Sequence, residues 1–317
     1  MIDPHVHCRD GKQSYKETIA HAFEIAEKQG VSKIFDMPNT EPPIVNEKDV
    51  KERLKLVPNG RKNDYFLYIG ATADKEQIKE AVECHRKFRE IVGIKLYAGK
   101  SVGNLSVCDI EGQRNIYEAL SGLGYSGVLA VHCEKESCMN KDLWDPSFPV
   151  SHSYARPKEA EIESINDQIG MAEESDFKGI LHICHISCPE SVELVDDARS
   201  RIKITCAATP HHVMWDRDML ERKDGLLYKT NPPLRDIDDV AGLRKYLKEG
   251  KIDWIETDHA PHPIGEKMFP PYNSGYPSLY IYSYFVSSFL PAIGIGKELA
   301  KKLTYKNIYS VFESKLR

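Results

Sequence analysis

"IDPHVHCRDGKQ", residues 2–13, reads as a short strand that runs straight into a polar turn. A doubly wound sheet would favour a Gly-rich phosphate turn at this point, G-x-G-x-x-G. Residues 7–13, HCRDGKQ, contain no such motif. The strand ends instead on His5 and His7, which alternate and so project from one face. Two imidazoles on one face can pinch a metal ion. An H-x-H pair alone is a weak signal, and a pair of hydrogen-bonded core histidines is the ordinary alternative.

Further strand candidates follow at 33–37, 65–71, 91–97, 127–132, 180–185, 202–207 and 252–258. Amphipathic stretches at 16–29, 74–90, 112–123, 159–175, 188–200 and 238–249 lie between them, with Gly30 as a helix stop. Eight strands with helical crossovers predict an α/β fold of the (β/α)8 TIM-barrel type. No repeat, low-complexity tract or Gly/Ser linker interrupts the chain, so residues 1–317 are expected to form a single catalytic domain.

Bulk composition narrows the function classes. Hydrophobic residues at 41% and charged residues at 29% are an ordinary globular balance. A net charge of -5 argues against a nucleic-acid surface. No apolar run approaches the ~18 residues that span a bilayer. The N-terminus lacks a basic-then-apolar leader, so a cytoplasmic location is expected. The eight cysteines are scattered and read as buried free thiols. Cys133 with Cys138 and Cys184 with Cys188 are the spacings that could make a zinc knuckle, and they are loose ones.

A barrel gathers its chemistry at the C-terminal strand ends. His5 and His7 close the first strand, Lys95 lies in the fourth within VGIKLYAG, and His132 closes the fifth in LAVHCE. His185 closes the sixth in LHICHIS, and Asp258 closes the eighth in WIETDHAPH. Each has a bland alternative, but their shared position predicts one metal-ligating constellation. His182 is three residues from His185, so on a regular strand the two face opposite ways; His185 is taken as the ligand and His182 as structural. His211 and His212 follow the seventh strand, where a structural role is at least as good a reading. Lys95 is the odd member, because an unpaired buried ammonium is costly. It can pair with Asp258, or lose its proton and take up carbon dioxide as an anionic carbamate.

In order, DPHVHCRD, DMPNTEPP, GIKLYAG, VHCE, CHIS, TPHH, NPPLR and TDHAPH resemble the dihydroorotases of the amidohydrolase superfamily. The resemblance covers residues 1 to about 280. It implies two Zn2+ ions and reversible cyclisation of N-carbamoyl-L-aspartate to L-dihydroorotate in pyrimidine biosynthesis. It implies that His5, His7 and Asp258 hold one zinc, that His132 and His185 hold the other, and that carboxylated Lys95 bridges them. Asp258 would be the catalytic proton carrier. Arg9, Asn39 and His262 would hold the substrate carboxylate, with Asn231 a further contact. The partner implied is a small anionic substrate; a homo-oligomer or a complex with pyrimidine-pathway enzymes is left open. Hydantoinases and allantoinases share the metal residues but usually lack the equivalents of Arg9 and Asn39. A catalytically dead scaffold would be expected to lose ligands, and this chain keeps them.

Two departures stand out. Relatives often carry a small β-sandwich around the barrel, which this chain is expected to lack. The family's Gly-x-Pro-Gly turn reads GYPS here, with Ser278 in the last place. The segment 98–109, AGKSVGNLSVCD, follows the fourth strand and reads as a lid or as an ordinary surface loop.

Overall fold

The computed structural model describes residues 1–101 and 103–317. Eight parallel strands pair in sequence order: β1 (Ile2–Val6), β2 (Lys33–Asp36), β3 (Tyr65–Gly70), β4 (Ile91–Tyr97), β5 (Val128–His132), β6 (Ile180–Ile183), β7 (Ile204–Ala208) and β8 (Trp254–Ile255). The ring closes through a parallel bridge between Val6 and His259, where the His7 amide donates to the His259 carbonyl at 2.8 Å. The fold is the expected (β/α)8 barrel.

Local sequence sets the crossover helices. Thr18, Asn46, Asp74 and Asp109 each accept a backbone N–H at the start of the helices Ile19–Lys28, Glu47–Lys55, Lys75–Lys87 and Ile110–Gly122. Gly250 ends Ile237–Glu249 in the left-handed conformation, φ 73°, which glycine adopts without strain.

Strand alternation sorts side chains between two cores. Leu129 and Val131 of β5 face the helices, whereas Val128 and Ala130 face the barrel interior and His132 continues that inward series. In β4 one extra residue intervenes, since Leu67 pairs with Ile91 but Tyr68 pairs with Gly93. A Cβ at Gly93 would lie 3.0 Å from the Tyr68 ring, so that position has no room for a side chain. Lys95 and Tyr97 alternate on from Gly93 and point the same way.

The barrel floor is sealed by the helix Asn307–Leu316. Phe312 packs edge-on against Phe35 at 5.0 Å and reaches Tyr68 and Trp254. Phe312→Ala should destabilise the protein by about 3–5 kcal/mol, the range for deleting a buried phenylalanine. Denaturant titration reads that loss, and a midpoint equal to wild type would mean the floor repacks without it.

Two strands end two or three residues before the ends the sequence suggests. β6 stops at Ile183 rather than 185, and β8 holds two residues rather than seven. Beyond both, the chain leaves the ladder to aim side chains at the barrel mouth.

Candidate active site

Three residues at this mouth share an unusual backbone. Arg9, His185 and Asp258 have φ values of 53°, 36° and 46°, the left-handed region that non-glycine residues rarely enter. Such strain clusters at functional sites, where surrounding structure enforces it. At β6 it has a definite result. His182 and Cys184 follow the inward alternation, and the turn at His185 brings the next side chain inward as well. His182 Nε2 and the His185 amide both meet the buried carboxylate of Glu256, at 3.2 and 3.0 Å. The opposite-face expectation for His182 and His185 therefore fails, because the strand is not regular between them.

Around β1, His5 Nε2 and His7 Nε2 lie 3.3 and 3.0 Å from the same oxygen of Asp258. Their other nitrogens are occupied: His5 Nδ1 sits 2.9 Å from Glu256 Oε1, and His7 Nδ1 sits 2.8 Å from Asn39 Oδ1. With acceptors at Nδ1, both Nε2 atoms are left to converge on the carboxylate, an arrangement common in metal sites. Next to them, His132 Nδ1 is 3.2 Å from His185 Nε2, and the rings of His5 and His185 are 5.3 Å apart. His132 Nε2 is 3.0 Å from Glu134, which Arg156 grips with two nitrogens.

Lys95 is fully buried. Its ammonium donates to Cys184 Sγ at 3.0 Å and lies 5.1 Å from the centre of the Tyr97 ring. Among the described residues it makes no ion pair, so the expected alternative of a bridge to Asp258 is not seen. Among the described residues the eight cysteines are all free, and no knuckle forms.

Electrostatics follow from burial and proximity. Burial alone would raise the Asp258 carboxyl, but the His7 hydrogen bond and the charges of His5 and His7 hold it well below its usual range. Burial would lower His5, yet the Glu256 charge carries it up to about 10. Burial, then the charges of His132 and Lys95, push His185 well below an ordinary imidazole. Acidic groups thus crowd around nitrogen donors, and among the described residues His185 Nδ1 is buried without a hydrogen-bond partner. That donor set fits divalent cations, with His5, His7 and Asp258 converging as one candidate group and His5, Cys184 and Glu256 as another.

The histidines open into a narrow pocket at the barrel mouth. Arg9, Asn39, Asn231, Ser274 and Gly275 line it with them. Arg9 is 2% exposed and donates to His262 Nε2 at 3.1 Å. His262 stands behind Arg9, against Glu266, rather than in the cavity lining. Asn231 Oδ1 lies 3.0 Å from His152 Nε2. His211 and His212 bond to Ser278 and to the Pro232 carbonyl instead of lining the cavity.

Glu134 and Glu256 escaped the sequence reading. Both obey its own rule, since Glu134 is two residues after His132 and Glu256 two before Asp258. Ser101 of the 98–109 segment also lines the cavity, while Lys100 is tied through its backbone to Glu136 and Arg156. Val102 lies outside the described residues. Deleting 100–104 should leave folding and metal content intact while turnover falls sharply, if the segment closes over a ligand. A deletion variant of normal turnover would make it a connector.

No family model matches the chain. It is 31% identical to a dihydroorotase of Methanosphaera stadtmanae over 274 residues, 84% of this chain and 59% of that protein. It is 32% identical to a dihydroorotase of Listeria monocytogenes over 283 residues, 85% and 62% respectively. The chain thus spans about three-fifths of the length of the curated relatives it matches. Among solved structures, an L-hydantoinase (dihydropyrimidinase) from Arthrobacter aurescens superposes with a TM-score of 0.85 at 21% identity, covering 98% of this chain and 70% of that one. A dihydroorotase from Campylobacter jejuni gives 0.72 at 20% identity, covering 98% and 82%. At those identities the structural likeness speaks for the fold.

Proposed function

We propose, from the premise that this chain is a member of the dihydroorotase-related amidohydrolases, that it interconverts N-carbamoyl-L-aspartate and L-dihydroorotate, a step of pyrimidine biosynthesis. The observation that carries the reading is a single pocket in which Arg9 and Asn39 stand beside the histidine and carboxylate donors. Arginine can take a carboxylate through two parallel hydrogen bonds, which lysine cannot copy.

In this reading His5, His7 and Asp258 hold one zinc ion and His132 and His185 the other. Lys95, as the carbamate formed with carbon dioxide, would supply further anionic oxygen donors to them. A buried amine against a sulfur and a ring, in no carboxylate ion pair among the described residues, supports that assignment. When bound, the ions supply Lewis acidity, polarising an amide carbonyl and lowering the pKa of water. Asp258 takes the proton of the attacking water and returns it to the leaving ring nitrogen. Arg9, steadied by His262, and Asn39 bind the substrate carboxylate; Asn231, in the same lining, is a further substrate contact. Residues 1–317 act as one catalytic barrel. Among the described residues no helix is long and apolar enough to cross a membrane.

The test is a substrate panel on metal-loaded protein, with dihydroorotate hydrolysis at alkaline pH and carbamoyl aspartate cyclisation at acidic pH. Turnover of a hydantoin or allantoin in preference would overturn the substrate assignment. Absence of bound metal with no turnover would point to a scaffold.

A further inference from the structure

Arg9 reaches the pocket from a backbone conformation that its own chemistry disfavours. Arg9 and Asp10 have φ values of 53° and 55°, and Gly11 follows at 57°. Two consecutive non-glycine residues keep that left-handed conformation only where their surroundings enforce it. Here one buried ion pair grips the chain on both sides of the Arg9 Cα. Asp36, the last residue of β2, accepts the Cys8 amide at 2.9 Å. Arg53, from the helix Glu47–Lys55, donates to the Arg9 carbonyl at 2.8 Å.

The two grips are joined. Arg53 Nε donates to Asp36 Oδ2 at 3.0 Å, and its Nη2 donates to the same oxygen. The Tyr65 hydroxyl donates to that carboxylate at 2.6 Å and accepts from Arg53 Nε at 3.1 Å. Asp36 is fully buried and Arg53 is 5% exposed. Burial opposes the Arg53 charge, but Asp36 beside it carries the guanidinium above its ordinary pKa. Taking two charges out of water is costly, and an apolar pair of the same size is often as stable. An apolar pair could not bond the Cys8 amide and the Arg9 carbonyl together.

The side chain so placed suits an anion. Among the described residues Arg9 is in no ion pair, and its Nε is buried without a hydrogen-bond partner. Asn39, its neighbour in the pocket lining, lies between Asp36 and Arg53 in sequence, in the loop that their ion pair closes. Resting on the function proposed above, we propose that Arg53 is a positioning residue. With Asp36 it fixes the turn that aims Arg9 at the substrate carboxylate, and so sets the preference for rings that carry a carboxylate over rings that do not. Arg53 itself touches no substrate. Relaxing the turn moves the guanidinium off the two parallel bonds that a carboxylate accepts. A ring without the carboxylate gains nothing from Arg9 and loses nothing when Arg9 shifts.

Metal-loaded wild type, Arg53→Lys, Asp36→Asn/Arg53→Met, Arg9→Ala and Arg9→Ala/Arg53→Lys are compared on dihydroorotate and on dihydrouracil, the same ring without the carboxylate. Arg53→Lys keeps a charge beside Asp36 but lacks the fork that also reaches the Arg9 carbonyl. Asp36→Asn/Arg53→Met removes both charges together and so leaves neither buried alone. Each of these two should lower kcat/KM for dihydroorotate by about 10²-fold, the scale of a misplaced binding group, chiefly through KM. Their kcat/KM for dihydrouracil and their metal content should stay close to wild type. In the Arg9→Ala background Arg53→Lys should add no further loss, because its effect runs through that side chain. Equal losses on both substrates, or losses that add in the Arg9→Ala background, mean a general structural role and overturn the inference. Wild-type selectivity in either folded variant overturns it too. If dihydrouracil is opened too slowly to measure, the Arg9→Ala background decides. Wild type that opens dihydrouracil as well as dihydroorotate, or opens neither, overturns the proposed function, and this inference with it.

Discussion

Lys95→Ala is expected to lose metal and turnover together. Lys95 lies inside the barrel in no ion pair among the described residues, one strand from His132, since Tyr97 and His132 pair across β4 and β5. As an ammonium it would repel cations from the histidine cluster; as a carbamate it adds two anionic oxygens there. Alanine removes those oxygens. A metal site supplies several kcal/mol of charge stabilisation, so its loss should lower turnover by about 10³-fold or more. Short carboxylic acids added to the variant should restore part of the rate by entering the space the side chain leaves. Elemental analysis and the hydrolysis assay read the two quantities separately. If Lys95→Ala kept two zinc ions and full activity, Lys95 would be a plain core ammonium resting on Cys184.

Asp258→Asn should cost nearly as much for a different reason. The carboxylate stands between His5 and His7, whose hydrogen bond and charges hold it below its usual pKa range against the effect of burial. It is therefore ionised at neutral pH, as a proton acceptor must be. Asparagine keeps the shape and can still meet His7, but it cannot take a proton. General acid–base catalysis is worth ~10²–10⁴-fold, which sets the least loss expected in both directions. Near-normal rates for hydrolysis and cyclisation would exclude the role, and metal content measured alongside separates lost proton transfer from a lost ligand.

The barrel was legible because its strands are short apolar runs at regular spacing, and because polar residues in the sequence fell at their ends. What periodicity could not convey was where regular backbone stops. His185 faces the site through a positive φ just past β6, and no two-residue rhythm encodes that turn. The helix Glu47–Lys55 was missed because its sequence, EKDVKERLK, offers few apolar positions to repeat. The floor helix Asn307–Leu316 lies outside the strand–helix alternation, and its role depends on Phe312 meeting residues far away in sequence. Of the site, histidines at strand ends stood out because imidazoles there are rare. Glu134 and Glu256 did not, since a lone glutamate in a sequence looks like any surface acid until its burial is known.

The closure between β1 and β8 has a thermodynamic side. That junction is the thinnest part of the ring: β8 has two ladder residues, and β1 meets the chain beyond it through one bridge. His5 and His7 stand on one bank of the junction and Asp258 on the other. Whatever binds all three recognises only the closed ring, so its binding free energy is added to the cohesion of that seam. Occupancy at a thousand times the dissociation constant would be worth about 4 kcal/mol, comparable with the stability margin of many domains. The ligand would then be a fastener of the architecture as well as an agent of the chemistry.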